Sequence, residues 1–240
     1  MNKYRLLALS LIITTFGQAT EVIVDRADSK IFPEAWLNPK TNPSAQLLPE
    51  SDQARCRALI LQALAAYPSE VLEENLKKVH VVGSLRYSGV STGGTNSRGT
   101  VYVVSNEKYT TAQFERIFHA EFSSILFRNH ARHFDPAAWQ QLNPQGFVYG
   151  GSGVKAVKAK KASTRINPGL HPEGFLHSYG TASIEEDFNS FAALLFMGDP
   201  AFWSAIENYP KIKAKAGHVA AFYQKIHPSF TLDFFKSRRR

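Results

Sequence analysis

The chain has 240 residues, 44% of them hydrophobic and 12% aromatic, which is enough apolar material for a packed core and excludes disorder along its whole length. Its one cysteine, Cys56, excludes an intramolecular disulfide framework and a multi-cysteine zinc site. The formal charge is +8, but no helix-turn-helix, zinc-finger or RNA-binding signature accompanies it, so no nucleic-acid partner is expected.

Residues 1–19 read as a signal peptide. Lys3 and Arg5 form a basic start, Leu6 to Phe16 an apolar run too short to span a bilayer, and Gly17-Gln18-Ala19 a small-residue cleavage site. Cleavage after Ala19 predicts a secreted or periplasmic protein of charge +6 with no membrane span left. Residues 20–50, dotted with Pro33, Pro39, Pro43 and Pro49, read as an irregular arm. Ser51 and Asp52 are placed to cap a helix to about Ala66, with Cys56 buried in it, and Pro68-Ser69 restarts a short helix to about Lys78. His80 to Gly83 and Thr100 to Val104 are strand-like, joined through the glycine- and serine-rich stretch from Ser88 to Gly99.

A long helix is predicted from near Thr111 past Leu126. Residues 143–176 read as a surface excursion carrying the basic run Lys155, Lys158, Lys160, Lys161 and Arg165. Ser183 starts another helix, and residues 209–226 a further one. The expected architecture is α+β, a small sheet on a mostly helical body over residues 51–235, followed by a basic tail at 236–240.

The helix after Thr111 carries the most informative residue. Phe114, Ile117, Phe118, Phe122, Ile125 and Leu126 recur with helical period, and Glu121 lies within that apolar stripe. An ionised carboxylate on a buried face is costly unless it meets a cation or metal or stays protonated. Arg116, Arg128 and Arg132 are the nearby candidates for a structural ion pair.

The segment Phe118 to Leu126 (FHAEFSSIL) resembles the active-site helix of the zincins, zinc metallopeptidases whose motif is HExxH. Leu76 to Gly94 followed by TVYVV is similar to the sheet that precedes such a helix. Tyr179 to Phe188 (YGTASIEEDF) resembles the later segment in which gluzincins supply a glutamate as third metal ligand. The resemblance implies a single zincin-like domain, Glu121 as general base, Glu186 as a metal ligand, and a peptide or protein substrate. The two motif histidine positions, however, hold Ala120 and Ser124. Histidines at i and i+4 chelate zinc from one helix face, and neither of these residues replaces them. His119 is the adjacent imidazole and is retained as a metal-ligand candidate, although its helical offset turns it away from Glu121. Ser124, His177 and Tyr179 are accessory candidates. Ser183 followed by Glu186 also has the spacing of a capping box. Two functions therefore stand as expectations: an exported peptide hydrolase with an altered zinc site, and a catalytically inactive relative that binds a peptide or an envelope partner.

Overall fold

The computed structural model describes residues 20–240, so the expected signal peptide lies outside the described residues. The chain is a mixed α+β fold. Its main sheet has the order β1-β3-β7-β6, built from Glu21–Ile23 (β1), Lys78–Val82 (β3), Gly94–Asn96 (β6) and Thr100–Val104 (β7). β1, β3 and β7 run parallel, and β6 runs antiparallel to β7 at the edge. A second antiparallel sheet joins Ser44–Gln46 (β2), Ser84–Tyr87 (β4) and Val90–Ser91 (β5). The stretch from Ser88 to Gly99 expected to be one glycine-rich turn therefore holds two short strands, β5 and β6. Ser88 and Gly89 turn the chain tightly there with positive φ, and this chemistry carries no signal of hydrophobic alternation.

Side chains alternate across the sheet as the pleat requires. Val79, Val81, Val101 and Val103 face the helices and join the large core, whereas Val82, Tyr102 and Val104 face a smaller core with Ile31, Phe32 and Leu85. The N-terminal arm thus covers the second face of the sheet, with Trp36 packed against Tyr87 and Tyr102.

Two helices precede β3. Glu50–Leu64 (α1) starts behind Pro49 without a side-chain cap, so Ser51 and Asp52 lie inside it. Ser69–Asn75 (α2) ends before Lys78, which already belongs to β3. Cys56 is fully buried, with its thiol on Ser105 Oγ at 3.1 Å.

Thr111–Asn129 (α3) is fixed at its start by a capping box between Thr110 and Gln113. It packs on β6, β7 and α1 on one side and on Ile184–Met197 (α6) on the other. Phe118, Phe122, Phe188 and Phe196 are fully buried between these layers, each contributing roughly 1.5–3 kcal/mol of burial. Pro136–Gln141 (α4), Gly153–Lys158 (α5), Pro200–Asn208 (α7), Pro210–Ile226 (α8) and Leu232–Ser237 (α9) complete the body. No helix among the described residues is long and apolar enough to cross a membrane.

The basic end of the chain folds back. Arg238 Nε donates to the Phe196 carbonyl at 2.6 Å, and the Arg239 guanidinium covers Trp203 and meets Glu207 at 2.7 Å. Arg240 reaches Glu115 at 2.5 Å. Gly198 permits this docking: it ends α6 in the left-handed region (φ 64°), and the Arg238 carbonyl occupies the place of a Cβ.

Candidate functional site

Three elements converge on Glu121. The middle of α3 carries the residue, and β6 runs close beside it. A Cβ on Gly94 would stand 2.6 Å from Ile117 Cγ2 and 2.8 Å from Glu121 Oε1, so only glycine lets the strand approach this near. Two residues on, Asn96 Nδ2 donates to Glu121 Oε2 at 2.6 Å. The third element is the start of α6 with the turn before it, Ser178–Thr181, which bring in Glu185, Glu186 and Tyr179.

Glu186 takes part in the helix cap through its backbone alone. Its backbone N–H is bound by Ser183 Oγ at 3.2 Å, which caps α6. Its side chain does not complete the capping box. It turns to the Tyr179 hydroxyl, and both groups press on Gly153, where a Cβ would collide with them.

Burial dominates the electrostatics. It pushes Glu121 up to about 8, opposed by the Asn96 hydrogen bond and reinforced by the charge on Glu186. It likewise pushes Glu186 up to about 7, against the lowering effect of the Tyr179 hydroxyl. Burial and then Glu186 raise Tyr179 well above the ordinary phenol range. Near neutral pH the site is thus poised between holding and losing protons.

The resident cation, Arg128, is committed elsewhere. It bonds Glu185 Oε1 at 2.6 Å and also donates to Asn96 Oδ1. Glu185 takes a further bond from Ser124 Oγ at 2.5 Å, and Asn189 Nδ2 donates to Ser124 at 2.7 Å. Arg116 bonds Thr164 instead of a carboxyl. Glu121 therefore meets a neutral amide, and among the described residues no guanidinium bonds to it.

His119 lies on the other face of α3. It is fully buried, its Nδ1 is 2.8 Å from the Tyr67 hydroxyl, its Nε2 is 3.8 Å from Glu115, and its ring stacks on Phe196. Burial lowers its pKa. The 200° between positions 119 and 121 on a helix accounts for the separation. His177 is also buried and is held near 4 by burial and then by the charge on Arg116. Its Nδ1 accepts from Gly180 N–H at 3.2 Å, so it braces the turn that carries Tyr179.

The donors that converge do not suit zinc. Ala120 has no donor atom, the Ser124 hydroxyl is bound to Glu185 and Asn189, and His119 faces Tyr67. Among the described residues no three His, Cys, Asp or Glu side chains are grouped to hold a metal ion, whereas a zinc site takes three or four protein ligands.

The edge of β6 is the second part of the site. Val104 N–H bonds the Gly93 carbonyl and Ser97 N–H the Thr100 carbonyl, both at 2.8 Å. By antiparallel alternation the backbone groups of Gly94 and Asn96 then point away from β7. Those of Gly94 engage the Thr92 hydroxyl, at 2.7 Å for the carbonyl, while those of Asn96 face the open edge. Beside α6 lies a cavity of about 630 Å³ walled by Phe127, Phe134, Tyr149 and Ile184, with Glu185 and Glu186 at its polar rim. Tyr149 is fixed by donating to Asp187 Oδ2 at 2.8 Å, and Lys215 meets the same oxygen at 2.6 Å with both charged side chains fully buried.

The sequence did not single out Asn96, Asn189, Gly94, Gly153 or the Asp187–Lys215 pair. The signal for Gly94 was the glycine pair at 93–94 just ahead of a β-rich run; the rest had none. Comparison with protein-family models, curated proteins and solved structures finds no match to this chain.

Proposed function

We propose that this is an exported, zincin-derived module that binds an extended peptide by adding it as a strand to the edge of β6, across the carboxyl cluster of Glu121, Glu185 and Glu186. The observation that carries the reading is the outward-facing backbone of Asn96, held beside α3 by its own side-chain bond to Glu121. Strand addition needs such an open edge for main-chain hydrogen bonds and neighbouring pockets for side chains. Ala120 and Ser124, at the positions where the resembled family chelates metal, favour binding over hydrolysis.

A zinc-dependent peptide hydrolase is the second reading. The convergence of Glu121, Glu186 and Tyr179 favours it, since a half-buried carboxyl with a pKa near neutrality suits a general base. Metal analysis of the purified mature protein separates the two. The binding reading expects far less than one zinc per chain and a melting temperature unchanged by chelator. One zinc per chain, lost in Glu186→Ala, would replace it with the hydrolase.

A further inference from the structure

The cavity beside α6 has a use that strand addition alone does not give it. Its walls are aromatic and aliphatic, yet its rim is acidic. Three carboxyls, Glu121, Glu185 and Glu186, lie around one guanidinium, Arg128, which is bonded to Glu185 and Asn96. Glu121 accepts from a neutral amide, and Glu186 faces a neutral phenol. One turn beyond Glu185, Asn189 is 4% exposed, and its Oδ1 has no partner among the described residues. Lys155, in α5 just after Gly153, is exposed to solvent. Arg128 thus serves Glu185, and among the described residues Glu121 and Glu186 have no cationic partner.

We propose that this cavity takes the side chain of a lysine in the bound peptide, its four-carbon stem along Phe127, Phe134 and Tyr149 and its ammonium at Glu185 and Glu186. The inference rests on the peptide-binding reading and names the residue that reading selects. A lysine stem buries against apolar surface while its head needs charged acceptors. A purely apolar side chain would leave the carboxyls unmatched. A bare metal ion would meet aromatic walls and too few ligands. The ammonium also favours the ionised carboxyls, so binding near neutral pH releases protons from Glu186 and Glu121, with Glu185, Arg128 and Tyr179 as the other titratable neighbours.

The test uses the full mature chain and capped valine- and threonine-rich peptides that carry lysine, norleucine or glutamate at one central position. Hexylamine and hexanol serve as cavity probes without a strand. Lysine is expected to bind at least about tenfold tighter than norleucine, with glutamate weakest. Calorimetry in buffers of different ionisation enthalpy should show proton release for lysine alone. Glu186→Gln, which mimics the protonated carboxyl, should bring the lysine-to-norleucine ratio below about threefold. Equal binding of the lysine and norleucine peptides would overturn the lysine pocket and leave strand addition standing. Hexylamine binding that is lost in Glu186→Gln, with no peptide bound, would keep the ammonium site and remove strand addition. If no peptide and no amine binds, both readings fall.

Discussion

Asn96 and Glu121 hold the edge strand and the long helix together through one 2.6 Å hydrogen bond, from the strand's side-chain amide to the helix's carboxyl. Replacing either partner changes both the strand position and the protonation of the acid. Asn96→Ala removes the donor that stabilises the ionised form of Glu121, so the Glu121 pKa should rise above about 8. Carboxyl titration by infrared difference spectroscopy reads this directly. A pKa that falls or stays fixed would mean that the contact is not made in solution.

The stability of the fold should decrease as pH rises from about 5 to about 8. Glu121 and Glu186 have an ordinary value of 4.5 and are raised in the folded chain to about 8 and about 7. Between those limits the unfolded chain loses protons that the folded chain keeps, which favours unfolding. Their combined effect is on the order of a few kcal/mol, fully developed only above the folded values. Melting temperature against pH, compared with the Glu121→Gln and Glu186→Gln double variant, checks this. The double variant should lose most of the slope.

Removing Arg238, Arg239 and Arg240 should destabilise the chain by about 1–3 kcal/mol. The loss comes from the Arg238 bond to the Phe196 carbonyl and from Arg240 on Glu115, whose side chain is only 14% exposed. The exposed Arg239–Glu207 pair should contribute little. Gly198→Ala should mimic much of the truncation, because its Cβ would take the place of the Arg238 carbonyl. Urea denaturation of the three proteins measures these differences. Truncation without effect would show that the docked end adds nothing.

Lys215→Ala should cost about 3–5 kcal/mol, because it leaves Asp187 charged and unpaired in a dry interior. Lys215→Met should cost less in combination with Asp187→Leu than alone, a non-additivity that a double-mutant cycle detects. Asp187→Leu would also remove the anchor of Tyr149, so the cavity wall should loosen in that variant.

Much of the scaffold was legible in the residues. The apolar period from Phe114 to Leu126 placed α3, and Ser183 marked the start of α6, because side-chain period and capping chemistry are local properties. Glu121 stood out by the same logic, a charge within an apolar stripe. The partners of that charge were not legible. Asn96 and Glu121 lie far apart in the chain and meet only because β6 pairs with β7 and α3 packs across both. The strands between Ser84 and Asn96 were hidden by short lengths and glycine-rich turns, which carry no alternation. The final arginines read as a free tail because a charge run gives no hint of Gly198 or the Phe196 carbonyl.

The parallel ladder from β1 to β3 to β7 imposes an order of events on the newborn chain. β1 lies at the start of the described residues, but its partner is supplied only after two helices have passed, and the edge strand needs β7 behind it. Such distant pairings close slowly, within the millisecond-to-second range typical of non-local topologies. Until Thr100–Val104 has docked, the newly made chain carries bare, sticky ribbon, and a holding chaperone would have most to gain in that interval.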